Sequence, residues 1–267
     1  MSETKRIDPK YLSIAFTDRD LCARSGTCVG ACPENAISVG EDFFPVLDAE
    51  KCTECGLCAK VCPGGEVKFT ELTEATFGHR DDDVGFDGHV SMTYVGYAAD
   101  ERIRQGGAGG GVVTALLWDL LKRGVVDGCI ATRMNPEKPW HGEVFIARSY
   151  EDLLTSQQSK YIVIPVNAIL AEIRNRQERY AIAALPCQIH GLRTLQKLKD
   201  PVVDKIHVIV GLFCASAMQP NIALEMMEMR GVDPNDVKDF GFRDGDWPGQ
   251  IRATMRDGTK IPMHQSN

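Results

Sequence analysis

Cys52-Thr53-Glu54-Cys55-Gly56-Leu57-Cys58-Ala59-Lys60-Val61-Cys62-Pro63 is the stretch on which the fold turns. Its C-x2-C-x2-C-x3-C-P spacing lets three thiolates curl around one iron–sulfur cluster while the fourth turns away to another. Gly56 suits a backbone that must fold back tightly beside sulfur. The pattern recurs 30 residues earlier: Cys22, Cys28 and Cys32 map onto Cys52, Cys58 and Cys62, and Pro33 matches Pro63. By cross-ligation, Cys52, Cys55, Cys58 and Cys32 make one complete [4Fe–4S] ligand set. Cys22, Cys28 and Cys62 remain for a second cluster, and Ser25 stands where its fourth cysteine belongs. Serine at that corner can bind iron as an alkoxide, leave the corner to water, leave a [3Fe–4S] cluster, or be an introduced change. Three thiolates suffice for a cluster to form. Zinc, the competing metal, favours paired C-x2-C knuckles and has no use for the duplicated C-x3-C-P tail.

The rest of the composition fits this assignment. Seven of the ten cysteines fall between Cys22 and Cys62, and the N-terminus Met1-Ser2-Glu3-Thr4-Lys5-Arg6 has no apolar core of a signal peptide. Metal-ligand spacing without an export signal indicates a reducing, cytoplasmic setting rather than a disulfide framework. A net charge of −7 argues against a nucleic-acid surface. The longest apolar run, Val208 to Met218, is far short of the ~18 residues of a membrane span.

Working outward, residues 1–72 read as an α+β, ferredoxin-like module for two [4Fe–4S] clusters. Residues 73–89, with the solvated charge run Asp81-Asp82-Asp83, read as a linker. Residues 90–267 alternate strand and helix signals and are expected to form an α/β domain with a mixed sheet. Val90 to Ala98 is strand-like. Gly111 to Arg123 is a helix stopped by Gly124. Strands follow at Gly128 to Arg133 and Val144 to Arg148, and a helix at Pro165 to Glu178 with proline at its start. Tyr180 to Leu185 and Ile206 to Phe213 are continuous apolar runs, the mark of strands buried on both faces. Helices are expected at Ile189 to Leu198 and Asn221 to Met229, and hairpins around Asp244-Gly245 and Asp257-Gly258.

Three places in this second domain carry possible chemistry. Gln105-Gly106-Gly107-Ala108-Gly109-Gly110-Gly111 leads into a helix, so backbone N–H groups can approach a phosphate closely. It matches neither G-x-G-x-x-G nor a P-loop, which leaves a phosphate-bearing cofactor or a flexible link. Ser159-Lys160-Tyr161 offers a cation and a stacking ring, although most such lysines are solvated. Leu185-Pro186-Cys187-Gln188 and Leu212-Phe213-Cys214-Ala215 lie where strands leave the sheet, the usual place for ligands in an open α/β sheet. Buried structural thiols are the plainer reading of these two cysteines, and of Cys129 outright.

The order of a two-cluster module, Gly109-Gly110-Gly111-Val112-Val113-Thr114-Ala115-Leu116-Leu117, Ser159-Lys160-Tyr161, Leu185-Pro186-Cys187-Gln188-Ile189-His190-Gly191-Leu192-Arg193 and Gly211-Leu212-Phe213-Cys214 resembles the coenzyme F-420 hydrogenase/dehydrogenase beta-subunit family. The likeness runs from Cys22 to about Gly258. It implies FAD held by Gly109, Gly110, Gly111 and Thr114, with Ser159, Lys160 and Tyr161 as a second flavin-contact segment. Pro186, Cys187 and Gln188 fall beside that flavin, and Cys187 and Cys214 match positions where the family can carry a third cluster. Family members usually continue into a segment with further cysteines. This sequence stops at Asn267 without them, so a third cluster would need ligands from elsewhere.

The expected function is therefore an iron–sulfur flavoprotein oxidoreductase. Electrons would pass between a hydride carrier, reduced coenzyme F-420 or a pyridine nucleotide, and partner subunits of a larger complex, through FAD and [4Fe–4S] clusters. Two rivals remain at this stage: a non-catalytic electron-transfer subunit, and a ferredoxin-dependent reductase of an organic substrate.

Overall fold

The computed structural model describes residues 5–79, 88–246 and 248–264. The Asp81–Asp83 run lies outside them, as does much of the expected linker.

The two cysteine repeats fold alike. Arg24 and Gly26 in the first, and Glu54 and Gly56 in the second, all take positive φ, at +46°, +79°, +55° and +71°. Ser25 and Cys55 are thus held between the same pair of left-handed residues. Each glycine opens a short helix, α1 (Thr27–Ala31) and, after the antiparallel hairpin β1 (Ile37–Val39) and β2 (Pro45–Leu47), α2 (Leu57–Lys60). A longer helix, α3 (Phe69–Phe77), closes on Gly78 at φ +79° and runs into the span expected to be a linker. The sequence has no glycine or proline between Phe69 and Phe77 to stop it earlier.

Residues 90–97 carry strand-like residues but form no strand. Tyr94, Val95 and Tyr97 stand exposed, and among the described residues no strand pairs with them; β propensity without a partner ladder does not hold a strand. Asp100 then caps α4 (Glu101–Gly106) through Ile103 N–H at 3.1 Å, and α5 (Val112–Lys122) follows the glycine loop. The sheet elements come next: β3 (Gly128–Met134), β4 (Gly142–Ala147), α6 (Tyr150–Thr155), a 3-10 turn Val166–Ile169 leading into α7 (Leu170–Ile173), β5 (Tyr180–Ala184), α8 (Pro186–Lys197), β6 (Ile206–Gly211) and α9 (Ile222–Met229). The helix expected over 165–178 is therefore shorter. Its last residues instead lead into β5, held there by Arg148–Glu178 and Asp127–Arg179 ion pairs at 2.7 and 2.9 Å.

The sheet order is β4-β3-β5-β6, with β4 antiparallel and the others parallel, so it is mixed as expected. Central β5 is almost wholly buried, whereas β6 is an edge strand and only half-buried. An edge position, which periodicity cannot reveal, explains the difference. A separate antiparallel sheet of β7 (Val237–Asp244), β8 (Gln250–Met255) and β9 (Lys260–Pro262) turns at Gly245 and Gly258, both at positive φ. Among the described residues no helix is long and apolar enough to cross a membrane.

The main core gathers Ile130, Leu170, Ile173, Tyr180, Ile182, Leu192 and Leu195, and Ala31 and Val61 of the cysteine repeats are buried in it too. Each fully buried leucine or isoleucine there contributes about 1.5–3 kcal/mol. The cysteine segment and the sheet consequently share apolar packing.

Candidate redox site

The cysteines divide between two cavities. Cys22, Cys28 and Cys62 line one cavity together with Ser25 and Ser13. Cys32, Cys52, Cys55 and Cys58 line a second. Among the described residues no three His, Cys, Asp or Glu side chains converge on a single metal ion. The thiols stand instead around the walls of a space, which is the arrangement the corners of a cubane need. Four thiols around one cavity and three thiols with two hydroxyls around the other suit iron–sulfur clusters. Amide N–H groups point at two of the sulfurs, Arg24 to Cys22 at 3.4 Å and Ala36 to Cys32 at 3.3 Å. Such bonds raise a cluster's potential by stabilising added negative charge. Burial pushes the Cys28 thiol up to about 12 and Cys58 to about 11, so both stay protonated until a metal displaces the proton.

The two cages differ in setting. The Cys32/Cys52/Cys55/Cys58 cage is built wholly from residues 11–58, and Cys55 is exposed. The Cys22/Cys28/Cys62 cage is closed on one side by Pro165, from the turn before α7. Close backbone approach makes that contact possible. A Cβ on Gly26 would lie 2.6 Å from Pro165 O and Ala168 N, and one on Gly30 would lie 2.1 Å from Asn167 O. Arg174 adds a clamp, pairing with Asp200 at 3.0 Å and donating to the α1 carbonyls of Gly30 and Ala31 at 3.0 and 3.2 Å.

A larger cavity of about 560 Å³ opens at the carboxyl ends of β5 and β6. It collects residues widely separated in sequence: Gly109, Gly111 and Thr114 from the glycine loop, Ser159, Lys160 and Tyr161, then Gln188 and Cys214. Gly111, at φ +72°, caps α5, and the first N–H groups of that helix have no intrahelical partner. A Cβ on Gly111 would meet Ile103 O at 2.3 Å, whereas Gly109 has open space around it. Gly110 packs behind the loop against Tyr97 and accepts from Ala98 N–H at 2.8 Å. Pro186 and Cys187 start α8 just behind the wall formed by Leu185 and Gln188. Burial, and the neighbouring Cys214, raise the Cys187 pKa.

Lys160 is committed elsewhere than to an anion. Its ammonium donates to the carbonyls of Ser156, Gln157 and Gln158 at 2.6, 2.7 and 3.2 Å, closing the end of α6. Burial pulls its pKa down to about 7, Asp239 opposing the shift, and three carbonyl acceptors favour the charged form. Arg243 of β7, which periodicity does not distinguish, supplies a second cation to the cavity wall. Tyr161 is partly exposed and meets Phe242 edge-on.

Sequence reasoning also missed a buried polar group at the centre of the molecule. Asn167 is fully buried, donates from Nδ2 to Thr27 Oγ1 at 2.9 Å and to Gln188 O at 2.8 Å, and its Oδ1 has no partner. An unsatisfied buried acceptor costs about 1–3 kcal/mol. The one available signal was an asparagine inside the apolar run Ile162 to Leu170.

Taken together, the cages and the sheet-edge cavity define an iron–sulfur protein with room for a further cofactor. Residues 21–66 match a 4Fe-4S dicluster domain. Residues 93–171 match the N-terminal part, and 177–267 the C-terminal part, of the coenzyme F420 hydrogenase/dehydrogenase beta subunit. The chain belongs to that family. It is 29% identical to the coenzyme F420-dependent sulfite reductase of Methanocaldococcus jannaschii over 86% of this chain and 36% of that protein. It is 26% identical to one of the F(420)H(2) dehydrogenase subunits of Methanosarcina mazei over 85% of this chain and 63% of the other. This chain thus spans between about a third and under two-thirds of those relatives. Among solved structures, a chain in the xenon-derivatised F420-reducing [NiFe] hydrogenase complex of Methanosarcina barkeri shares the fold, at TM-score 0.50 and 23% identity, covering 62% of this chain and 58% of that one.

Proposed function

We propose that the chain is an iron–sulfur flavoprotein oxidoreductase subunit that passes electrons between a hydride carrier, with reduced coenzyme F-420 favoured, and a partner subunit. The observation that carries this reading is the convergence of Gly111, Thr114, Tyr161 and Gln188 on one cavity beside the Cys22/Cys28/Cys62 cage. Its volume is in the range of cofactor pockets. The donor set also suits a dinucleotide: free N–H groups at the start of α5 for a pyrophosphate, and a glycine loop that admits close approach. Bound there, FAD would supply conversion between two-electron hydride chemistry and one-electron transfer.

The chain's own residues set the conditions for that chemistry. Gly111 and the α5 N-terminus would hold the phosphates, and Gly109 has open space around it. Ile162, Ile164, Val166 and Leu117 form an apolar wall that excludes water from one side of the cavity. Arg243 offers positive charge to an anionic ring or tail. Cys22, Cys28, Cys62 and Ser25 would hold one cluster, and Cys32, Cys52, Cys55 and Cys58 the other. The exposed Cys55 puts the second cage where a partner can dock.

The test is a cofactor and turnover analysis of anaerobically purified protein. Iron, sulfide and flavin should all be present, and reduced F-420 or NADH should reduce the flavin. Iron-loaded protein free of flavin would indicate a pure electron carrier. Reduction by ferredoxin but by neither hydride donor would indicate the ferredoxin-dependent reductase.

A further inference from the structure

The segment Ile164-Pro165-Val166 separates the large cavity from the first cysteine cage. Ile164 and Val166 line the cavity, while Pro165 between them lines the Cys22/Cys28/Cys62 cage. The wall there is a single backbone segment thick. A continuous chain of buried hydrogen bonds runs beside it. Gln188, on the cavity wall, donates from Nε2 to Ile164 O at 3.1 Å, and its carbonyl accepts from Asn167 Nδ2 at 2.8 Å. The same Nδ2 donates to Thr27 Oγ1 at 2.9 Å, and Thr27 Oγ1 lies 2.9 Å from Ser25 Oγ inside the cage. A backbone link doubles the connection, Asn167 N–H donating to Ser25 O at 3.0 Å. Ser25, Thr27, Asn167 and Gln188 are all buried, so no water competes for these bonds.

The hydrogen-bond pattern also bears on what Ser25 can do. With Asn167 donating into Thr27 Oγ1, the Thr27 hydroxyl is free to donate to Ser25 Oγ, and Thr27 N–H donates to it at 3.3 Å. In that arrangement Ser25 receives two bonds from the bridge and keeps its own O–H for the cage. Among the described residues the second cage is lined only by residues up to 58, and none of them belongs to this bridge.

We propose that the Cys22/Cys28/Cys62 cage takes electrons directly from the cavity, that the Cys32/Cys52/Cys55/Cys58 cage follows it, and that Asn167 and Thr27 are the positioning residues of the junction. This rests on the reading that a flavin fills the cavity and clusters fill the cages. Two electrons leave the reduced flavin one at a time, each cluster takes one, and the two protons released pass to water in the open part of the cavity. A packed, hydrogen-bonded wall favours this route, since electron tunnelling falls off far more steeply through void than through bonded atoms.

The test uses the whole chain, purified anaerobically with iron, sulfide and flavin counted first. The bound flavin is photoreduced by a flash with EDTA as donor, and its reoxidation is followed optically, with rapid-freeze EPR reporting each cluster. Ser25→Cys, which touches only the first cage, assigns the two EPR signals. The first-cage signal should appear first. Thr27→Val and Asn167→Leu should slow flavin reoxidation about tenfold, as loss of a ligand's outer partner typically does. Thr27→Val should also change the EPR line shape of the first cage alone, and Thr27→Ser should restore both rate and line shape. Second-cage reduction ahead of the first overturns the proposal alone. So do unchanged rate and spectrum in both variants with full cofactor content. Wild-type protein without flavin removes the functional reading and this order with it.

Discussion

Replacing Gly30 by alanine tests how the first cage is held against the sheet. The new Cβ would lie 2.1 Å from Asn167 O and 2.7 Å from Leu170 Cβ. The first of these is backbone, so it cannot turn aside as a flexible side chain would, and α1 must lift from the Val166–Ile169 turn. Overpacking of this kind costs about 1–3 kcal/mol, and a rigid neighbour puts Gly30→Ala at the upper end. Alanine recovers at most about 1 kcal/mol through helix propensity, and less in a helix as short as α1. A net loss of about 2 kcal/mol should lower the melting temperature by roughly 4–8 °C in a chain this size. Because α1 carries Cys28 and leads into Cys32, lifting it should also speed iron release. The assay is anaerobic thermal unfolding of the cluster-loaded protein, with iron release to a chelator measured in parallel. Gly109→Ala, where nothing stands within 4 Å, is the matched control and should behave as wild type. If Gly30→Ala melts with the wild type and holds its iron as long, the close packing of α1 against the turn is not what holds the cage.

Arg174→Ala should cost about 1–3 kcal/mol in urea denaturation, because it removes the charged partner of the part-buried Asp200 and frees the Gly30 and Ala31 carbonyls. Arg174→Lys should not restore it, since a single ammonium cannot reproduce the guanidinium fork; full rescue by lysine would refute the clamp. Ser25→Cys should supply a fourth thiolate to the first cage, raising iron content and altering its EPR signal; unchanged iron and spectra would contradict that. Gly111→Ala, forced into φ +72° with its Cβ 2.3 Å from Ile103 O, should lose about tenfold in flavin affinity, the equivalent of about 1.4 kcal/mol of loop strain. Lys160, with its folded pKa drawn from 10.5 to about 7, binds more protons unfolded than folded between those values. Wild-type stability should therefore rise relative to Lys160→Met as pH climbs from 7 towards 10, and parallel pH profiles would refute the burial of the amine.

The parts of this structure that can be read from sequence are those fixed by local spacing. The cysteine intervals dictate which sulfurs share a cage, and both sets line the cavities that cross-ligation requires. The apolar run Tyr180 to Leu185 gave central β5, and Gly124, Gly245 and Gly258 end or turn their elements through positive φ. Residues 90–97 show the limit of such reasoning. Their composition favours a strand, yet pairing is decided by neighbours elsewhere in the chain, and among the described residues none pairs with them. Lys160 shows another. Its type suggested a cation for a ligand, but three nearby carbonyls at the end of α6 take its protons. Asn167 and Thr27 were invisible because their meaning is a contact across 140 residues.

That contact also explains why the two repeats, alike in backbone, are not alike in chemistry. Ser25 and Cys55 sit between equivalent left-handed residues, yet Cys55 faces outward and Ser25 is buried beneath the sheet domain. A thiol is a weak hydrogen-bond acceptor, whereas a hydroxyl oxygen takes two bonds at ordinary length. At position 25 the Thr27 N–H donates one, and the Thr27 hydroxyl, itself held by Asn167, stands 2.9 Å away where it can give the other. The outward repeat sends Val61 into the core but leaves Cys55 exposed. A serine at the inner corner therefore joins the first cage to the cavity wall through Thr27 and Asn167, and its place matches the cage that the sheet covers.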